Sequence, residues 1–156
     1  MIEKKRQRRK PGDFFAVPLE DGEYAFGRVL KNAMAFYDIK SNEILSIDEL
    51  YKTKIIFKVW VMDNVITSGR YPIIGHIPLT EEELKPLVFA KRDVISGRHY
   101  LYIEGGTEIP CSRDDLIGLE VAAVWSDVHI QDRLNCYFRG EESKYQTTLT
   151  NRVLKD

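Results

Sequence analysis

The chain has 156 residues, 44% of them hydrophobic and 30% charged, with a formal net charge of −1. This is the composition of an ordinary folded domain, long enough to bury roughly two-thirds of its unfolded surface without a metal or disulfide staple. Runs rich in apolar residues, such as Ile55-Ile56-Phe57 and Leu119 to Trp125, are far too short to span a bilayer, and Cys111 and Cys136 alone cannot make a disulfide framework.

The charge is unevenly placed. Residues 1–10 hold six basic side chains against Glu3, a net of +5, which leaves −6 on the other 146 residues. Mutual repulsion and the lack of apolar residues predict a disordered basic arm over 1–10. No apolar stretch comes after it, only Pro11-Gly12-Asp13, so a secretory leader is not expected. The two cysteines read as reduced thiols and place the chain in the cytoplasm.

Asp13 to Leu19 is dense in Phe and Val and reads as a strand. Asp21-Gly22 suits a two-residue hairpin turn, and Glu23 to Lys31 returns as a second strand. On it Tyr24, Phe26, Arg28 and Leu30 share one face, and Ala25, Gly27 and Val29 the other. Gly27 inside a strand predicts a bulge or a close backbone approach. Ala33 to Ile39 completes a small antiparallel meander.

Ser46 and Glu49 have capping-box spacing, so a short helix is expected with Ile47, Leu50 and Tyr51 on one face. Ile55 to Ile66 reads as one long β-rich stretch closed by Ser68-Gly69. Tyr71 to Ile77 reads as a strand that Pro72 and Pro78 confine to an edge. Thr80 and Glu83 repeat the capping spacing, and Pro86 stops any helix there within about two turns. Leu87 to Ala90, Arg98 to Glu104 and Thr107 to Pro110 are further strand segments, the last two joined at Gly105-Gly106.

Leu119 to Trp125 reads as the last strand. Ser126 caps a helix in which Ile130, Leu134, Tyr137 and Phe138 fall on one face and which Gly140 stops. The expected fold is therefore α+β and β-rich: an antiparallel sheet or partly open barrel with short helices and one C-terminal helix at about 127–139. A single domain is expected over 11–140, followed by a loosely ordered tail over 141–156.

No catalytic motif emerges. His76, His99 and His129 have no metal-ligand spacing among themselves or with the cysteines, so no metal or cofactor is expected. His76 and His99 lie in strand segments, and His129 is expected to face solvent. Cys111-Ser112 could supply a nucleophile and His99 a base, but their separation in sequence leaves open whether they meet. Gly105-Gly106 lacks the Lys-Ser/Thr element of a phosphate cradle and reads as a turn. Trp60 and Trp125 read as core anchors. Glu81, Glu82, Glu83, Asp114 and Asp115 sit at the starts of short helical turns, where the dipole favours negative charge. Their functional reading is a docking patch for basic residues of a partner.

The stretch from Lys10-Pro11-Gly12-Asp13-Phe14-Phe15 to Pro18-Leu19, followed by Asp21-Gly22 and Tyr24-Ala25-Phe26-Gly27-Arg28-Val29, resembles the immunity protein 26 family of bacterial polymorphic toxin systems. Tyr71-Pro72-Ile73-Ile74-Gly75 with Ile77-Pro78-Leu79 resembles a second family element, in which Trp is expected where this chain has Tyr71. The likeness is strongest over 10–31, continues over 55–79 and is vague afterward. It implies a non-catalytic protein that binds and neutralises a cognate toxin domain. Gly12, Asp13, Gly22, Gly27 and Gly75 look like backbone-geometry positions of that family, not toxin contacts. The alternative from another class is a nucleic-acid-binding small β-barrel module using the basic arm, although the acidic body argues against nucleic acid. A hydrolase whose site forms only in three dimensions is the third. The sequence leaves the toxin's identity and the oligomeric state open.

Overall fold

The computed structural model describes residues 5–156. Its first strands are β1 (Asp13–Pro18), β2 (Tyr24–Val29) and β3 (Met34–Ser41), followed by helix α1 (Ile47–Tyr51) and strand β4 (Ile55–Val61). A helical turn, α2 (Asn64–Thr67), precedes strands β5 (Ile73–His76), β6 (Val88–Arg92), β7 (His99–Ile103) and β8 (Thr107–Cys111). A 3-10 turn at Arg113–Leu116, strand β9 (Val124–Trp125) and helices α3 (Asp127–Phe138) and α4 (Lys144–Val153) complete the chain. The strands form a six-stranded sheet in the order β5-β1-β2-β3-β4-β9 and a three-stranded sheet β6-β7-β8. The fold is α+β and β-rich with no closed barrel. All pairings between named strands are antiparallel except β4 with β9.

Phe14, Phe15, Ala16 and Val17 are consecutive and all fully buried, because the large sheet is covered on both faces. Phe15, Val17, Val29, Met34 and Phe36 meet Ile130 and Leu134 of α3, with Tyr145 and Leu149 of α4 packed behind. On the other face Phe14, Ala16, Phe26 and Tyr37 meet Leu50 of α1. Gly27 shows both features read from its position in β2. The register against β3 slips between Ala25 and Gly27, and a Cβ there would stand 2.4 Å from the Phe15 ring.

Several boundaries differ from the sequence reading. Leu19 N donates to Glu23 O, so the β1–β2 loop spans three residues, with Gly22 at φ +81°, and is longer than a two-residue turn. The 55–66 stretch is a strand only to Val61; α2 turns Val65 and Ile66 into the core. Leu119 to Trp125 is split because it bridges the two sheets. Residues Glu120 and Ala122 bond to Ala90 of β6, and only Val124–Trp125 pair with β4. Arg133 of α3, 7% exposed, fastens this bridge with paired bonds of 2.8 and 2.7 Å to Glu120, its guanidinium 3.7 Å over Phe57.

Residues 5–10 and 141–156 are anchored more firmly than charge and composition suggest. Residues 1–4 of the expected arm lie outside the described residues. Over 5–10, Gln7 corrects the expectation of disorder: its Nε2 donates to Ile66 O and Tyr71 O, and its Oε1 accepts from Ile73 N. Arg9 pairs with Asp63 and donates to Leu30 O. These side-chain donors from Gln7 and Arg9 tie the run to backbone carbonyls of the body. The tail over 141–156 is likewise no loose segment. Ser143 caps α4, and Tyr145, Leu149 and Val153 recur at helical spacing against the core. No described helix is long and apolar enough to cross a membrane.

Candidate functional site

Among the described residues Arg28 is the most enclosed charge, 2% exposed on the β2 face shared with Phe26. Its Nη1 donates to Glu83, its Nη2 donates to Ile77 O at 2.7 Å, and its guanidinium lies 4.9 Å over Phe14 and 5.0 Å over Tyr51. Burial pushes the neighbouring Tyr37 phenol up to about 12, with Arg28 pulling the other way. Burial also pulls the Glu83 carboxyl up, but the Thr80 N–H and the Arg28 guanidinium together outweigh it and hold it below the ordinary glutamate value. Thr80 and Glu83 cap each other, side chain to backbone, in both directions. This cluster closes the 77–86 loop onto the sheet.

The five acidic positions fall into two groups carried by different parts of the fold. Glu83 is committed to Arg28. Asp115 is committed to the N-terminus of the 3-10 turn in a capping box with Ser112, whose backbone N–H holds the Asp115 carboxyl below its ordinary value. Glu82 makes an exposed pair with Lys85 at 2.7 Å, Asp114 one with Arg113 at 3.2 Å, and Glu81 is exposed. No bond joins the group at 81–83 to the group at 114–115 among the described residues.

The reactive side chains are scattered. His76 Nδ1 donates to Asp13 at 2.7 Å, and His99 Nε2 donates to Lys155 O at 3.0 Å. His129, expected in solvent, is half-buried and stacked on Tyr145 at 3.8 Å because α4 folds back over α3. His99 and Cys111 do meet, as cross-strand partners of β7 and β8. Burial pushes the Cys111 thiol up and the Asp115 carboxylate raises it further, so at neutral pH the protonated thiol prevails and thiolate attack is disfavoured. Burial does the same to Cys136, aided by Asp132. Among the described residues no group of three His, Cys, Asp or Glu side chains could hold a metal ion.

Where the two sheets meet, α4 leaves an open groove that sequence reasoning missed. One part, about 290 Å³, is lined by Arg92, Arg152 and Lys155 together with Val94, Leu149 and Val153. It runs into a second part of about 360 Å³ through shared Arg92, Val121, Ala122 and Val153, and ends at Trp60 and Tyr102. Trp125 is a core anchor at 2% exposure, whereas Trp60 is half-buried here, its Nε1 donating to Glu104 at 2.8 Å. Beside the groove Val94 and Ile95, 87% and 94% exposed, form the tip of the β6–β7 hairpin. The apolar pair between Asp93 and Ser96-Gly97 was the available signal. The cations carried none, because Arg92 lies far from Arg152 and Lys155 in the chain.

A two-faced sheet with apolar and charged surface left together at a sheet junction has the character of a binding protein. The model of the immunity protein 26 family matches residues 10–101, and the chain belongs to that family. Membership gives it an immunity function in general and a protein toxin as its kind of partner. No curated protein and no solved structure matches the chain. The matched segment runs from Lys10, ahead of β1, into β7. Gly12 within it has φ +99°, and a Cβ there would stand 2.4 Å from Ile77 O, in keeping with a backbone role.

Proposed function

We propose that this protein binds the toxin domain of a bacterial polymorphic toxin system and neutralises it by occupation, in the cytoplasm and without catalysis. The family match over 10–101 is the observation that carries this reading. A protonated Cys111 thiol and histidines occupied by Asp13, Lys155 O and Tyr145 are consistent with it. Such an inhibitor needs a standard interface of roughly 1,600 Å² with a few buried anchors and no reactive group. Of the carboxylates Glu81, Glu82, Glu83, Asp114 and Asp115, we assign Glu81, Glu82 and Asp114 to electrostatic contact with the toxin, since Glu83 and Asp115 are spent on Arg28 and Ser112. The test is co-expression with the C-terminal domain of a polymorphic toxin whose gene adjoins that of this chain. Restored growth is expected; continued growth arrest despite abundant folded protein would refute the reading.

A further inference from the structure

The groove between β6 and α4 gathers three cations on one concave surface. Arg92, Arg152 and Lys155 line it, and none has a carboxylate within ion-pair distance among the described residues. The Nε of Arg92 is buried and lacks a hydrogen-bond partner there. Its guanidinium lies beneath the hairpin tip, Nη2 standing 3.1 Å from where a Cβ on Gly97 would be. Like charges gathered in a concave site raise one another's energy, and an anionic partner relieves this.

The tip is held out by its own bonding. Asp93 Oδ1 accepts from Ile95 N at 2.8 Å and Ser96 N at 3.3 Å, Gly97 N donates to Asp93 O, and Gly97 sits at φ +75°. An ordered turn thus displays Val94 and Ile95 to water, and Val94 also lines the groove. Two β-branched side chains on a braced turn make an anchor of low entropic cost.

We propose that this groove and tip are a further docking surface for the toxin domain, in addition to the acidic contacts at Glu81, Glu82 and Asp114, and that they take a segment of it that carries carboxylates beside an apolar patch. The proposal rests on the immunity reading for the partner's identity and on the groove for its chemistry. Leu149, Arg152, Val153 and Lys155 lie beyond the family match, which ends at 101, so this wall is built by chain outside the matched segment. A polynucleotide fits less well. Trp60 is packed on Phe89 at 4.4 Å and on Tyr102 at 5.4 Å, so its ring is already engaged with two others, and Val94 and Ile95 offer nothing to a phosphate.

The experiment measures affinity of the full chain for an inactivated form of the toxin domain tested in co-expression. Two double variants are compared with wild type: Arg152→Glu with Lys155→Glu, and Val94→Ser with Ile95→Ser. These side chains are exposed or unpaired, and unchanged unfolding midpoints confirm that both variants fold. Each is expected to weaken binding about tenfold or more, and the charge variant to flatten the salt dependence as well. A loss in either supports the surface; affinities within about twofold of wild type in both overturn it while leaving the immunity reading intact. If wild type itself fails to bind the toxin, the immunity reading falls. If instead it binds a short single-stranded oligonucleotide tightly and salt-sensitively, and Arg152→Glu with Lys155→Glu abolishes that, the groove is a nucleic-acid site and the proposal is wrong.

Discussion

Replacing Glu83 by Gln keeps an oxygen for the Thr80 N–H but removes the charge facing Arg28. Arg28 is 2% exposed and cannot turn to water, so its charge would stay enclosed with Ile77 O and two aromatic faces as its remaining partners. Breaking a buried pair from one side costs about 3–5 kcal/mol. Because the Glu83 side chain is 26% exposed and part of the pair is therefore screened, about 2–3 kcal/mol is expected here. Arg28→Met should cost less, about 1–2 kcal/mol, since the freed Glu83 can reach solvent and Met refills the aliphatic space. Combining Arg28→Met with Glu83→Gln should then cost less than the sum of the two by about 1–2 kcal/mol. Urea unfolding followed by tryptophan fluorescence measures all three, as midpoint shifts at constant slope. A cost below about 0.5 kcal/mol for Glu83→Gln, the range of a surface pair, would refute this reasoning. The pH dependence supplies a sign. A carboxyl held below its ordinary value stabilises the fold above the unfolded glutamate range and loses that contribution as pH falls through the folded value. Wild type should therefore lose more stability than Glu83→Gln between neutrality and about pH 3.

Gly27→Ala would place a methyl 2.4 Å from the Phe15 ring and 2.7 Å from Ala35 O, and should destabilise by about 1–3 kcal/mol in the same assay. Gln7→Ala removes three bonds to Ile66, Tyr71 and Ile73 and should cost about 1–2 kcal/mol, where a mobile arm would give no change. Truncation after Gly140 strips Tyr145 and Leu149 from the core around Trp125 and Val153 from Leu116, and should cost roughly 3 kcal/mol or more by calorimetry, against nearly nothing for a loose tail.

The features legible in the sequence are those that local pattern controls. The β1–β2–β3 meander, the caps at Ser46 and Ser126, edge strand β5 and the span of α3 arise from alternation, turn chemistry and capping over a few residues. The misses come from tertiary contacts that local pattern does not encode. Helix α4 has a sparse stripe, Tyr145, Leu149 and Val153, whose worth depends on finding Trp125 and Leu116 opposite. The 119–125 segment reads as one strand because bridging two sheets requires the same apolar residues as filling one. At the surface, Glu83 and Asp115 read like their neighbours Glu82 and Asp114 until Arg28 and Ser112 separate them. The groove joins residues from β6, the 121–123 bridge and α4, so no window of sequence contains it.

The central claim is that the chain blocks a toxin by covering it and leaves it unaltered. Titrating the chain into the active toxin domain, with residual activity and the intact masses of both proteins read together, tests this directly. Activity should fall linearly to an end point at one equivalent, with both masses unchanged and activity recovered on dissociation. Inhibition at well below one equivalent, or a mass change on the toxin, would show that the chain acts as an enzyme and contradict the account.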